Sequence, residues 1–124
     1  MKKPLKIVLA CSLTLLCFSC YYDNLDDLPE EPPVVIPPEE DVTFSNSILP
    51  IFEAYNCVEC HNGGSLNPDL RPDNAYSSLI PTYVEAGNSS GSRLYTKLAE
   101  GHRNISDLDL ALIKEWIDRG AENN

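Results

Sequence analysis

Three residues within five positions, Cys57, Cys60 and His61, have types and a spacing that could hold a metalloporphyrin. Their C-x-x-C-H pattern is that of c-type haem attachment. On a helical turn the two cysteines lie on one side, where their thiols can form thioethers with the two vinyl groups of haem. His61 lies on the same side and can reach the iron as the proximal ligand. The motif therefore predicts one covalently bound haem c.

The same residues permit other interpretations. Cys57 and Cys60 could form a structural disulfide or a thioredoxin-like redox pair, although the chain lacks the βαβ pattern that accompanies such pairs. Both interpretations leave His61 without a role. With His102, the motif also supplies the donor count of a Cys2His2 zinc site, but the adjacent Cys60 and His61 fit one tetrahedral ion poorly. Haem attachment is therefore favoured.

The first 42 residues have the composition of an export signal followed by a tether. Residues 1–19 begin with three lysines and continue with an apolar run, Ile7–Phe18, that is too short to cross a bilayer. Ser19 and Cys20 resemble the end of the lipobox of bacterial lipoproteins, in which the cysteine is acylated. Residues 20–42 hold eight acids, five prolines and no base, which predicts a disordered acidic tether. The alternative is ordinary cleavage that releases a soluble periplasmic protein.

The remaining residues, 43–124, have room for one small domain. The whole chain has 124 residues, 9 of them basic and 19 acidic, and its formal net charge is −10. This excess of acid argues against nucleic acid or anionic lipid headgroups as a partner surface. At such a length an apolar core is marginal without an additional stabilising group. A haem would be such a group.

A first helix is expected to lead into the motif. Ser45 or Ser47 is predicted to cap it, and Pro50 falls in or near its first turn. The helix is predicted to run directly into Cys57. Its buried stripe is predicted to consist of Ile48, Ile51, Phe52 and Tyr55.

Three further helices are expected. Short ones are predicted at 74–80 and 92–100, separated by a turn at 87–91. The last helix is predicted to be capped by Ser106 and to stop at Gly120. Its apolar face is predicted to consist of Leu108, Leu112, Ile113, Trp116 and Ile117. Because no segment alternates with a period of two, the fold is predicted to be all-α.

Three segments together resemble the small monohaem class I cytochrome c domains described as planctomycete-type or haem-binding. They are residues 48–52 before the motif, residues 92–98, and residues 111–121, and the resemblance covers nearly all of 43–124. It implies a cytochrome c-like bundle of three to four helices around one covalent haem. It also implies that the first and last helices pack across each other.

The sixth iron ligand departs from the pattern of that family. Such domains commonly place a methionine before the last helix, but the only methionine here is Met1. The equivalent loop, 101–104, offers His102, so bis-histidine ligation by His61 and His102 is expected. The alternative is an exposed His102 and an open distal site. Without a methionine ligand, the reduction potential should be lower.

Two more residues are expected near the haem. Residues 67–70 resemble the proline-containing loop of class I cytochromes, which implies that the Pro68 carbonyl accepts a hydrogen bond from His61. Arg71 could pair with a haem propionate. A solvated surface arginine is the alternative for that position.

The expected function is electron transfer rather than catalysis. A haem with both axial positions filled by protein leaves no place for a substrate, and no catalytic group is required of the chain. The carrier would be anchored through Cys20 in the cell envelope, at the periplasmic or surface face of the outer membrane. It would exchange electrons with an exported oxidoreductase or another cytochrome. A peroxidase-like or gas-sensing haem domain is one alternative, and a non-haem module built on zinc or a disulfide is another.

Overall fold

The computed structural model describes residues 32–37, 40–64 and 66–124, and its folded unit runs from Pro33 to Asn124. Within these residues the fold is all-helical and contains no strand, which confirms the predicted all-α class. The four α-helices are α1 (Leu49–Ala54), α2 (Pro72–Leu79), α3 (Arg93–Ala99) and α4 (Asp107–Asp118). A π-helical turn (Phe44–Ile48) precedes α1, and 3₁₀ turns lie at Cys57–Glu59 and His102–Asn104.

Predictions for the amino-terminal region fall largely outside this description. The predicted signal segment, Cys20 with its predicted acylation and the first part of the predicted tether all lie in residues 1–31. No helix in the ranges that the structure describes is long and apolar enough to span a membrane.

The first helical segment is capped by Thr43, so the prediction of Ser45 or Ser47 as the cap is wrong. The Thr43 side chain accepts a hydrogen bond from the Asn46 N–H at 3.2 Å. In return, the Thr43 N–H donates to Ser47 Oγ, also at 3.2 Å. Ser47 is therefore the reciprocal partner of the cap rather than the cap itself. Pro50 lies in the first turn of α1, as predicted.

A break separates α1 from the C-x-x-C-H motif, which corrects the prediction of a continuous helix. The helix ends at Ala54, and Asn56 has a left-handed backbone with φ 52°. Asparagine tolerates that conformation better than most side chains. A new 3₁₀ turn then starts at Cys57, so the motif has its own local geometry.

The core joins the π-helical turn to α4. Trp116 is almost fully buried, and its ring centre lies 5.2 Å from that of Phe44. The burial confirms that Trp116, predicted on the apolar face of the last helix, is a core residue, and the ring contact shows that it packs against the first helical segment. Phe44 also meets the ring of Tyr76 in α2 at 5.3 Å, edge to face.

The predicted apolar face of α4 is correct except at its start. Ile113, Trp116 and Ile117 are buried, but Leu108 is 52% exposed, so its inclusion was wrong. Positions four apart drift by about 40° around an α-helix. Two such steps separate Leu108 from Trp116, so Leu108 has rotated out of the buried stripe.

Both predicted ends of α4 are confirmed. Ser106 Oγ accepts from the Asp109 N–H at 3.1 Å and caps the helix. At the other end Gly120 has φ 110°. The N–H of Ala121 donates to the Trp116 carbonyl at 2.9 Å and that of Gly120 to Ile117 at 3.0 Å, which together form a Schellman ending.

The two short helices also lie close to their predicted places. Helix α2 begins at Pro72, two residues before the predicted start, and ends at Leu79 before the Ile80–Pro81 pair. Helix α3 falls within 92–100, with Ser92 at its start.

Part of the predicted tether packs on the domain. Ile36 and Val42 are buried. The Arg119 guanidinium donates to the backbone carbonyls of Glu40 at 2.6 Å and Pro37 at 3.2 Å. The folded unit therefore begins upstream of residue 43, where the sequence placed the boundary.

Candidate functional site

A mainly apolar cavity of about 210 Å³ brings together four of the six predicted haem-site residues. Cys57, His61, Pro68 and His102 all line it. This volume is below the range of about 300–1,000 Å³ that is typical of pockets for drug-sized ligands. The donor groups of the lining, rather than the volume, therefore indicate the class of ligand. The other lining residues are Ile51, Phe52, Asn67, Leu70, Tyr83, Arg93, Leu94, Lys97, Leu98, Arg103 and Ile105.

Helices α1 and α3 provide the two apolar walls. Ile51 and Phe52 line the cavity from α1, and Leu94 and Leu98 line it from α3. The two leucines are four residues apart and so lie on one face of α3. Helical spacing therefore accounts for the apolar lining.

The motif forms one tight turn with two free thiols. The Cys57 carbonyl accepts hydrogen bonds from the N–H groups of Cys60 at 3.2 Å and His61 at 2.9 Å. Cys57 is buried at the cavity and Cys60 is exposed. Burial raises the pKa of the Cys57 thiol, while the positive charge of Arg103 acts in the opposite direction.

The ring of His61 is oriented by a backbone carbonyl. Its Nδ1 lies 3.0 Å from the carbonyl oxygen of Pro68, the acceptor that the family resemblance implied. Because a carbonyl can only accept, this bond requires the proton on Nδ1 and leaves the lone pair on Nε2. A metal-ligating histidine is normally held in this way.

His102 lies near His61 and lines the same cavity, although the residue as a whole is exposed. Their ring centres are 6.4 Å apart and their planes are inclined by 76°. A metal–imidazole bond is about 2.0–2.1 Å and the ring centre lies about 1.1 Å behind the ligating nitrogen, so two axial imidazoles on one metal need about 6.3 Å between centres. The observed separation of the two rings matches that requirement.

Arg71 lies outside the cavity lining. Its guanidinium forms an ion pair with Asp69, at 2.6 Å, and its side chain is half exposed. The propionate role of Arg71 stays a prediction. Three cationic residues that were not predicted as site residues line the cavity: Arg93, Lys97 and Arg103. Arg93 and Lys97 directly precede Leu94 and Leu98 on α3, and this helical spacing could have indicated that they line the cavity. Arg103 follows His102 in the chain.

Asp69 fixes the loop that presents the Pro68 carbonyl to His61. Its backbone N–H donates to Ser78 Oγ at 2.7 Å. Its carboxylate accepts from Arg71 Nη2 at 2.6 Å and from Asn74 Nδ2 at 2.9 Å. Chiefly because of the hydrogen bonds from Arg71, the pKa of Asp69 is lowered to about 2.

This shift predicts a contribution to acid stability. The folded-state pKa of Asp69 is lower than its unfolded value of about 3.9, so the carboxylate stabilises the fold at neutral pH. We expect that contribution to disappear as the pH falls from about 4 through about 2. Asp69→Asn should lower the melting temperature at pH 7 and make the melting temperature depend less on pH in the acid range. The exposed Asp41→Asn variant is the control, and equal acid profiles for wild type and Asp69→Asn would contradict the prediction.

No family model, no curated protein and no solved structure matches the chain. Among the described residues, no three His, Cys, Asp or Glu side chains lie close enough together to hold a metal ion between them. The site consists of two imidazoles whose ring centres are 6.4 Å apart and two free thiols, all on one small all-α domain.

Proposed function

We propose that this domain is a small c-type cytochrome that carries single electrons. The observation that carries the proposal is the pair of His61 and His102 rings, 6.4 Å apart across an apolar cavity. The free thiols of Cys57 and Cys60 belong to the same turn as His61. Two thiols and two imidazoles in this arrangement suit one covalently attached haem.

Each of these residues has a distinct part in holding the haem. Cys57 and Cys60 would provide the thioether links, His61 the proximal imidazole and His102 the distal one. When bound, the haem supplies an iron centre that changes oxidation state by one electron. The Pro68 carbonyl orients the His61 ring and, in the neutral imidazole, places the proton on Nδ1, so that Nε2 carries the lone pair that would bind the iron.

The cationic residues of the cavity lining suit the two carboxylates of a haem. Arg93 and Lys97 lie on the same face of α3, four residues apart. The Arg93 guanidinium lies 5.3 Å from the centre of the Tyr83 ring, which keeps it near the cavity. A propionate would be stabilised there by charge-assisted hydrogen bonds.

A zinc site is less well supported. Structural zinc needs four donors around one ion at about 2.0–2.3 Å. No group of three or more such donors occurs in the part of the chain that the structure describes. Ring centres 6.4 Å apart suit two opposite bonds to one iron better than two corners of a tetrahedral cage.

The cellular setting forms part of the proposal and comes from the sequence. The apolar run and Ser19-Cys20 support export and acylation, which would anchor the carrier at the outer membrane. An acidic, proline-rich segment then leads to the folded unit at Pro33. Its partner would be an exported oxidoreductase or another cytochrome.

The decisive experiment is a pyridine haemochrome assay on the full chain, exported and matured in a bacterial periplasm that contains the c-type haem attachment machinery. We expect one haem per chain, with the spectrum of haem linked through two thioethers. The same chain produced without that machinery is the control. A periplasmic product that contains zinc or a Cys57–Cys60 disulfide, and no haem, would overturn the proposal.

A further inference from the structure

We infer that Tyr55 and Arg103 are positioning residues that hold the His102 loop, defined as residues 101–106, against the segment that carries His61. Together they set the separation of the two imidazoles. The inference rests on the proposed function, because it concerns how the distal histidine is kept at the iron.

The His102 loop does not have a backbone conformation that its sequence favours. Arg103 and Asn104 have φ values of 66° and 47°, and Gly101 has φ 93°. Glycine and asparagine tolerate the left-handed region, but it is unfavourable for Arg103, and such a residue stays in it only when other contacts hold it. Residues 101–104 are exposed, so burial does not supply that restraint.

Arg103 provides the first restraint, directly after His102 in the chain. Its Nη2 donates to the carbonyl oxygen of Asn56 at 3.3 Å. The same nitrogen lies 3.8 Å from Cys60 Sγ and 3.9 Å from a carboxylate oxygen of Glu59. All three contacts are with the turn that contains the C-x-x-C-H motif.

Tyr55 provides the second restraint, at the end of the loop. Its hydroxyl accepts a hydrogen bond from the Ser106 N–H at 2.9 Å and donates to Asp109 Oδ2 at 2.7 Å. Ser106 Oγ donates to the same carboxylate oxygen at 2.7 Å. The end of α1 is thereby joined to the point where the loop enters α4.

The two restraints have one consequence for the site. Both connect the His102 loop to residues 55–60, which lead directly into His61, and His61 is held separately by the Pro68 carbonyl. Loss of either restraint would therefore release His102 while leaving His61 in place. The distal ligand would leave the iron more often, and an added ligand would bind faster.

The test compares Tyr55→Phe and Arg103→Gln with two matched controls in the haem-loaded full chain. Tyr76→Phe removes a tyrosine hydrogen bond to the Ala121 carbonyl, 3.0 Å long, elsewhere in the fold. Arg119→Gln removes arginine hydrogen bonds to the Glu40 and Pro37 carbonyls. The first measurement is amide hydrogen exchange of residues 101–106. The second is the rate at which the reduced protein binds carbon monoxide.

We expect the exchange rate and the rate of carbon monoxide binding to rise about tenfold in Tyr55→Phe and in Arg103→Gln, because each variant loses one or two hydrogen bonds. Both rates should stay at the wild-type value in the two controls. Unchanged exchange in the His102 loop would overturn the inference, whatever the haem content. Faster exchange with unchanged carbon monoxide binding would overturn the positioning role. Absence of haem from the wild-type protein is a separate result, detected by the haemochrome assay, and it contradicts the proposed function instead.

Discussion

Replacing both Cys57 and Cys60 with alanine is expected to abolish covalent haem attachment. These are the two thiols of the C-x-x-C-H turn, and neither is held in a disulfide, so both remain as the groups that would form the thioethers. Each single variant should keep one thioether and a reduced yield of haem protein, whereas the double variant should keep none. Haem staining after a denaturing gel, together with the intact mass of the chain, measures the result.

The double variant should also lose much of its fold. The cavity lies between the walls provided by α1 and α3, and a bound haem would fill space that a domain of this size cannot fill with its own side chains. Any group that binds only the folded state stabilises it. Circular dichroism of the double variant should therefore show less helix than that of the wild type.

Val58→Ala is the matched control for these substitutions. Val58 is the first of the two residues between Cys57 and Cys60, and it packs against the core. Its replacement therefore perturbs packing but keeps both thiols. That variant should retain its haem. A Cys57→Ala, Cys60→Ala chain that still carries haem through a denaturing gel would contradict the assignment of the motif.

Local signals were sufficient to predict α4. Its cap, Ser106 with Asp109, and its end at Gly120 each involve residues within five positions of one another. Such interactions depend little on the rest of the fold, so the sequence contains the information directly. The early part of the same helix shows the limit, because Leu108 is apolar but no longer faces the core.

The start of the first helical segment could not be predicted locally. Its amides are satisfied from the far end of the chain: Phe44 N–H donates to Asn124 Oδ1 at 2.9 Å, and Ser45 N–H donates to the Asn124 carbonyl at 2.9 Å. With those amides occupied, Thr43 takes the capping position. The choice between neighbouring hydroxyl residues therefore depended on a long-range contact that no local pattern indicates.

The residues of the candidate site also differ in whether a local pattern or a long-range contact identifies them. Cys57, Cys60 and His61 form a short-range pattern, so chemistry alone singled them out. Arg103 and Tyr55 were not recognised as parts of the site, because their contacts join segments about fifty residues apart in sequence. Their positions become meaningful only when the fold places the His102 loop against the motif.

Replacing His102 with alanine is expected to convert the ferric iron from low-spin to high-spin. In the wild-type protein two imidazoles should keep the iron low-spin in both oxidation states and make carbon monoxide binding slow. The 6.4 Å separation of the rings supports this arrangement. Without the distal imidazole the sixth position opens, so ferric haem should become high-spin and carbon monoxide should bind rapidly. Electron paramagnetic resonance and flash photolysis measure the two effects.

Rescue with free imidazole distinguishes loss of a ligand from damage to the fold. Added imidazole should bind at the vacated position of the His102→Ala protein and restore the low-spin spectrum, whereas a misfolded protein would not recover it. Lys114→Ala removes a partly exposed cation of α4 that does not line the cavity and should leave the wild-type spectrum unchanged. If the wild-type protein is already high-spin and binds carbon monoxide readily, His102 is not an axial ligand. The open iron would then favour a gas-sensing or peroxidase-like domain over an electron carrier, because a vacant sixth position is what a small ligand or peroxide requires.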